Sequence, residues 1–294
     1  MTETKRPTLG RLALLLTTLI WGTSFVVQKN TLDDINTLHL LAFRFTIAAV
    51  LMFIIGAKDI KKLDRSYIKG GIFMGLALTA AYIVQTYGLV YTTPGKNAFL
   101  TASYVVITPF LYWAYKKKRP GKHNVIAAFL CLIGVGLISV DSSLSINIGD
   151  ILTIICGLFY AIHIIMIDQQ AEGKSPALLT AIQFAVAAVL TWIPAIIFEP
   201  TQKNIPSGAV FSILFLGIMC TGICFLLQTF GQKNTPASQA AIILTLESVF
   251  GTVASIIFYK EVVNLRLVFG FAAMFIAVII SETKLSFIRK KGNN

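Results

Sequence analysis

Residues 208–230 read GAVFSILFLGIMCTGICFLLQTF, twenty-three positions without a charged side chain. An α-helix needs roughly 17 to 25 mostly apolar residues to cross the hydrocarbon core of a bilayer. The run shows none of the apolar/polar alternation of a barrel strand. Lipid offers no partner for free backbone groups, so a helix is the open solution. Nine further stretches qualify or nearly qualify: 10–29, 38–57, 69–91, 97–115, 123–140, 149–168, 176–198, 238–259 and 265–284. The fifth and tenth spans have short strictly apolar cores, which leaves their ends less sharply set. Composition agrees, with 13% charged and 56% hydrophobic residues and a mean hydropathy of +0.77. A soluble domain carries about 25% charged residues, and this chain has too few to cover a water-facing surface. The connections, such as 30–36, 92–96, 141–147, 199–208 and 234–238, are too short to hold a soluble domain. The expected fold class is all-α integral membrane, with ten transmembrane helices and the function inside the bundle.

The end of the quoted run, Gln228-Thr229-Phe230-Gly231, repeats Gln85-Thr86-Tyr87-Gly88. Sliding the chain by 143 residues sets Thr92 on Thr235, Ala98 on Ala241, Val106 on Val249, Lys117 on Lys260, Val125 on Val268 and Val135 on Val278. The first span matches the sixth at a slightly different offset, with Trp21 facing Phe159 and Phe25 facing His163. Chance matches among apolar helices are common, but a polar string at a corresponding place is a stronger signal. The expected division is two repeats, residues 1–145 and 146–294. Five spans per repeat is an odd number, so the two halves are expected to lie in opposite orientations. Inverted repeats are a common transporter plan, with the substrate site near the midplane where the halves meet.

The net charge of +12 is a topology signal here, because the basic residues lie between apolar runs. With the N-terminus in the cytoplasm, nineteen of the Lys and Arg residues fall on inner segments: Lys5, Arg6 and Arg11, clusters at 58–69 and 116–122, Lys174, Lys233 and the C-terminal group 284–291. Five fall outside: Lys29, Lys96, Lys203, Lys260 and Arg266. Both termini are therefore expected in the cytoplasm of a cell membrane protein. The first apolar run has a basic flank but no small-x-small cleavage site after it, which reads as an uncleaved helix. Cys131, Cys156, Cys220 and Cys224 all lie in apolar segments and show neither zinc spacing nor a disulfide framework. No P-loop string is present, and no selectivity-filter string. Neither a cofactor nor nucleic acid is expected as a partner.

The chain resembles the drug/metabolite transporter superfamily, in particular the permeases built of two EamA-type repeats. The resemblance rests on Trp21-Gly22-Thr23-Ser24-Phe25 ending at Lys29, Arg44-Phe45, Thr92, and Ala98 to Pro109. In the second half it rests on Gly149-Asp150, Leu158 to His163, and Thr235 to Glu261 with Leu246-Glu247-Ser248-Val249-Phe250 and Lys260-Glu261. It covers nearly the whole chain. It implies a permease, often an exporter, for amino acids or other small metabolites. The chain departs from the family at Lys118-Arg119-Pro120, where Gly-Glu is usual.

Candidate site residues are the polar groups inside the spans, since an ionisable group at a helix centre costs about 2.5 to 3.5 kcal/mol on insertion scales. Glu247, mid-way along the ninth span, reads either as a cavity acid that binds a cation or substrate amine or carries a proton, or as a structural acid bonded to Thr245 or the backbone. Arg44 attracts a substrate carboxylate, pairs with an acid, or snorkels to the outer headgroups. Lys29 reads as an interfacial anchor. His163 is a proton shuttle or a satisfied hydrogen-bonding residue. The repeat-related Gln85 and Gln228 either hold a polar substrate or join helices, a contact worth about 0.6 kcal/mol in membranes. Trp21, Tyr82, Asn97, Thr101 and Tyr104 complete the expected lining, the aromatics offering cation–π contacts to an amine. Pro109 removes a backbone donor and is a place for a bend. Gly134 and Gly136 are expected to allow close helix packing.

These readings converge on a secondary transporter, an exporter of small organic metabolites, working by alternating access with the bilayer and a small molecule as partners. Uniport, exchange and proton antiport all fit. A membrane-embedded enzyme is the first rival, but His39, His123 and His163 fall in separate spans and the acids are scattered. A non-transporting assembly protein is the second, and it leaves the repeat and the intramembrane polar groups without a purpose.

Overall fold

The computed structural model describes residues 7–117, 119–139, 146–170, 173–235 and 237–283. Lys5, Arg6, Lys118, residues 141–145 and the basic group from Lys284 onward lie outside the described residues. The described chain is helical. In order it forms α1 (Pro7–Thr31), α2 (Thr37–Gly56), a 3₁₀ turn (Ala57–Lys62), α3 (Arg65–Tyr91), α4 (Pro94–Thr101), α5 (Ser103–Lys116), α6 (Lys122–Ser139), α7 (Ile148–Gln170) and α8 (Pro176–Phe198). There follow α9 (Ser207–Leu214), a π-helical stretch (Phe215–Ile223), α10 (Cys224–Asn234), α11 (Ala237–Ala254), a second π stretch (Ser255–Tyr259) and α12 (Leu265–Thr283). Among the described residues, eight continuous helical spans are long and apolar enough to cross a membrane, and shorter apolar helices cover Ile243–Tyr259 and Leu265–Ser281. The chain is a multi-pass membrane protein. Ile54, Phe129, Leu132, Ile196, Phe198 and Phe258 are exposed on the outside of the bundle, a surface that suits lipid and not water.

The expected spans fall on these helices with physical reasons for each difference. The third begins at Arg65 rather than at 69, because Asp64 caps it and accepts from the Tyr67 N–H at 2.9 Å. The fourth is two helices meeting at Ala102, and Pro109 sits within α5 without ending it. Thr93 and Pro94 start α4, an N-cap hydroxyl followed by a residue that needs no N–H partner. Neither π stretch was legible in the sequence. In the first, Thr221 donates back to the Leu216 carbonyl, five residues earlier, at 2.9 Å.

Packing pairs the two ends of the chain. α2 runs along α8, α3 along α7 and α8, α6 along α12, and α1 along α10 and α11. α4 and α5 lie against α7, α4 against α11, and the Phe215–Ile223 stretch against α2. One apolar core joins α4, α5, α6 and α12 around Leu100, Ile138 and Met274; another joins α2, α3 and α8 around Phe45, Leu78 and Phe184. Gly134 closes the α6–α12 crossing, where a Cβ would lie 2.9 Å from the Gly270 carbonyl oxygen; Gly136 meets nothing and has no such role. The four cysteines are free and buried. Lys29 does more than anchor at an interface. Its ammonium donates to the Leu89 and Val90 carbonyls at 2.7 and 2.8 Å, capping the C-terminus of α3, where the helix dipole favours a cation.

Candidate functional site

A cavity of about 750 Å³, counting its open side, lies where the two halves of the chain meet. α1 contributes Trp21, Ser24, Phe25 and Gln28; α2 contributes Arg44; α3 contributes Leu78, Tyr82 and Gln85. Thr101 and Tyr104 flank the break between α4 and α5. The second half supplies Tyr160, His163, Ile164 and Ile167 from α7, Phe225 and Gln228 from α10, and Glu247 from α11.

Arg44 is 2% exposed and does not snorkel. Its Nη1 donates to Gln28 Oε1 at 2.7 Å, its Nε to Thr221 Oγ1 at 2.6 Å, and its Nη2 to the Tyr82 hydroxyl at 3.3 Å. The guanidinium also stacks 4.8 Å from the Tyr82 ring centre. Gln28 passes the chain on to Thr86 at 2.9 Å. All these partners are neutral, so the charge of Arg44 is solvated by the protein but not cancelled. Burying a cation this way is tolerable only because its donors are used.

Gln85 is equally engaged. It donates to Thr101 Oγ1 at 3.1 Å and accepts from the Tyr160 hydroxyl at 2.9 Å. His163 is buried and bonded to Gln183 at 3.0 Å, while its ring still borders the cavity. Trp21 donates to the Cys220 carbonyl at 2.7 Å in the π stretch. Edge-on aromatic contacts link Trp21 to Phe225 and Tyr82 to Tyr160. Glu247 and Gln228 differ from the rest: both are half-buried, and neither makes a side-chain hydrogen bond among the described residues. Glu247 therefore lacks the Thr245 partner its sequence position allowed.

Of the expected lining, Trp21, Arg44, Tyr82, Gln85, Thr101, Tyr104, His163, Gln228 and Glu247 come together on this cavity. Asn97 does not. It is fully buried one turn away, donating to Thr153 Oγ1 at 2.8 Å and to the Gln85 carbonyl at 3.3 Å, so it joins α4 to α3 and α7. The sequence reading missed Gln28 and Tyr160. Gln28 lies seven residues after Trp21, two helical turns along the same face of α1, and Tyr160 lies three before His163 on α7. That spacing was the available signal.

Comparison with other proteins agrees with this architecture. The model of the EamA-like transporter family matches twice, over residues 8–140 and 147–283. An uncharacterized transporter of Archaeoglobus fulgidus is 32% identical over 93% of this chain and 86% of its own length. The uncharacterized transporter YoaV of Bacillus subtilis is 24% identical over 95% of this chain and 98% of its own. A solved crystal structure superposes with a TM-score of 0.68 at 15% identity, covering 94% of this chain and 98% of that one, and so shares the fold. The chain belongs to the EamA-like transporter family, whose members are membrane transporters and not enzymes.

Proposed function

We propose that the protein is a secondary transporter that exports a small organic metabolite, an amino acid or a related compound, by alternating access. In this reading residues 1–145 and 146–294 are inverted five-helix repeats, the chain crosses the cell membrane ten times, and both termini are cytoplasmic. Three findings support the repeat. The family model matches each half separately. Exchanging each helix for its counterpart in the other half preserves the main pairings: α1 on α11 becomes α7 on α4 and α5, and α3 on α7 becomes α10 on α1. Lys117 and Lys260, aligned by the 143-residue shift, both hold left-handed backbones at the ends of their helices, with φ of 56° and 55°.

The single observation that carries the substrate reading is a cavity between the halves with an uncancelled cation and an unpartnered acid on its walls. No ion pair joins Arg44 to Glu247. A zwitterion satisfies both, its carboxylate toward Arg44 and its ammonium toward Glu247, while Trp21, Tyr82, Tyr104 and Phe225 cover an apolar remainder. A second reading, proton antiport through Glu247, is favoured by the same lack of a partner. Flux of zwitterionic metabolites into proteoliposomes is the test. Saturable uptake of at least one is expected. No saturable flux across a broad panel would remove the carrier reading. Labelling of an introduced cysteine at position 32 from outside the cell tests the orientation.

A further inference from the structure

The 143-residue repeat and the close helix approaches set two corners of the molecule against each other. At the outer corner the end of α3 meets the start of α7: a Cβ on Gly88 would lie 3.0 Å from the Gly149 carbonyl oxygen. At the inner corner the end of α10 meets the start of α1: a Cβ on Gly231 would lie 2.9 Å from the Gly10 carbonyl oxygen. Gly88 and Gly231 are repeat partners, and so are Thr92 and Thr235. The polar chemistry at the two corners is not alike. Outside, Thr92 donates its hydroxyl to Asp150, which is fully buried, and Lys96 pairs with the other carboxylate oxygen at 3.5 Å. Beside it Glu261, 9% exposed, accepts from the Thr93 and Ser255 hydroxyls and from the Gly95 N–H at 3.1 Å. Inside, the Thr235 hydroxyl is buried with no hydrogen-bond partner among the described residues. The residue following Gly10, as Asp150 follows Gly149, is the exposed Arg11.

We propose that Asp150 and Glu261 are positioning residues for transport, a two-carboxylate clasp that holds the outer face closed. Both belong to the second half and both grip the α3–α4 corner of the first, so rocking the halves apart on the outer side must break them. Hydrogen bonds to charged groups are stronger than those between neutral groups. Among the described residues the α10–α1 corner carries no such bonds; inner-side bonds between the halves run instead from Ser175 to Asp59 and Tyr67. The cavity lining runs from Gln28, near the outer end of α1, to Ile167, near the inner end of α7.

The clasp rests on the alternating-access reading, and the test separates the two. A cysteine placed at Ser24, on the cavity wall of α1, reports access from outside to a membrane-impermeant thiol reagent in right-side-out vesicles, with the native chain as the baseline. Asp150→Asn with Glu261→Gln keeps the shapes and removes the charges. The expected result is a labelling rate at least about five-fold higher, with the apparent affinity for substrate shifted. Unchanged or slower labelling in the folded double variant overturns the clasp. Should that variant fail to fold, Thr92→Val with Thr93→Val removes the donors and is read in the same way. Saturable flux by the parent with unchanged labelling sinks the clasp alone, whereas absence of parent flux sinks the carrier.

Discussion

Gln85 and Gln228 are set on each other by the 143-residue shift, and they behave differently. Gln85 is bound on both ends by Thr101 and Tyr160. Gln228 has no side-chain partner among the described residues. The 143-residue shift explains half of this directly, because it sets the buried, apolar Leu244 where the first half has Thr101. The charged groups repeat the contrast. Arg44 of the first half uses three donors on neutral neighbours, while Glu247 of the second half faces the cavity unpaired. The lesson is a division of labour: Gln85 and Arg44 are held in place by their neighbours, whereas Gln228 and Glu247 border the cavity with no side-chain partner among the described residues.

That contrast can be broken in four ways. The largest effect is expected at Arg44. Arg44→Ala removes a hydrogen bond from each of Gln28, Thr221 and Tyr82 at once, and a buried polar atom left unsatisfied costs about 1 to 3 kcal/mol. Thermal unfolding in detergent should shift down by several degrees and flux should vanish. Arg44→Lys keeps the charge without the planar fork and should recover the fold only in part. A variant of native stability and flux would show that the guanidinium is not part of the wall.

Next comes Glu247→Gln, which removes the unpaired charge without changing shape. Insertion and thermal stability should be near native, because no hydrogen bond is lost. Flux should fall about ten-fold or more, or lose its dependence on pH. Native flux at every pH would end both the ammonium-binding and the proton-coupling roles of this residue.

The two glutamines give the sharpest comparison. Gln85→Ala removes one hydrogen bond from each of Thr101 and Tyr160 and should cost about 1 kcal/mol or more of stability. Gln228→Ala should leave stability unchanged and raise KM for substrate about three-fold or more. Equal stability losses in the two variants would abolish the proposed division.

The smallest effect is expected at Lys117 and Lys260, whose left-handed backbones cost an L-residue roughly 1 kcal/mol. Lys117→Gly and Lys260→Gly should each stabilise the protein by a fraction of that, and by similar amounts. A gain at one and a loss at the other, read from thermal unfolding, would argue against equivalent helix ends.

The sequence alone determined that this chain is a bundle of membrane-crossing helices, because long uncharged apolar runs have one hydrogen-bonded solution in lipid. Its Gln-Thr-aromatic-Gly string and aligned lysines are the basis of the proposed repeat, and it marked most of the cavity lining, because a polar side chain inside such a run is costly enough to mark itself. Tertiary structure alone decided which of those groups face the cavity. Asn97 and Thr101 lie four residues apart on one helix face, yet Thr101 borders the cavity and Asn97 is turned onto Thr153 of a distant helix. The break at Ala102, the π stretches and the partners of Asp150 and Glu261 were hidden for the same reason. Each depends on contacts between residues far apart in the chain, and helical periodicity carries no information about which helix will be the neighbour.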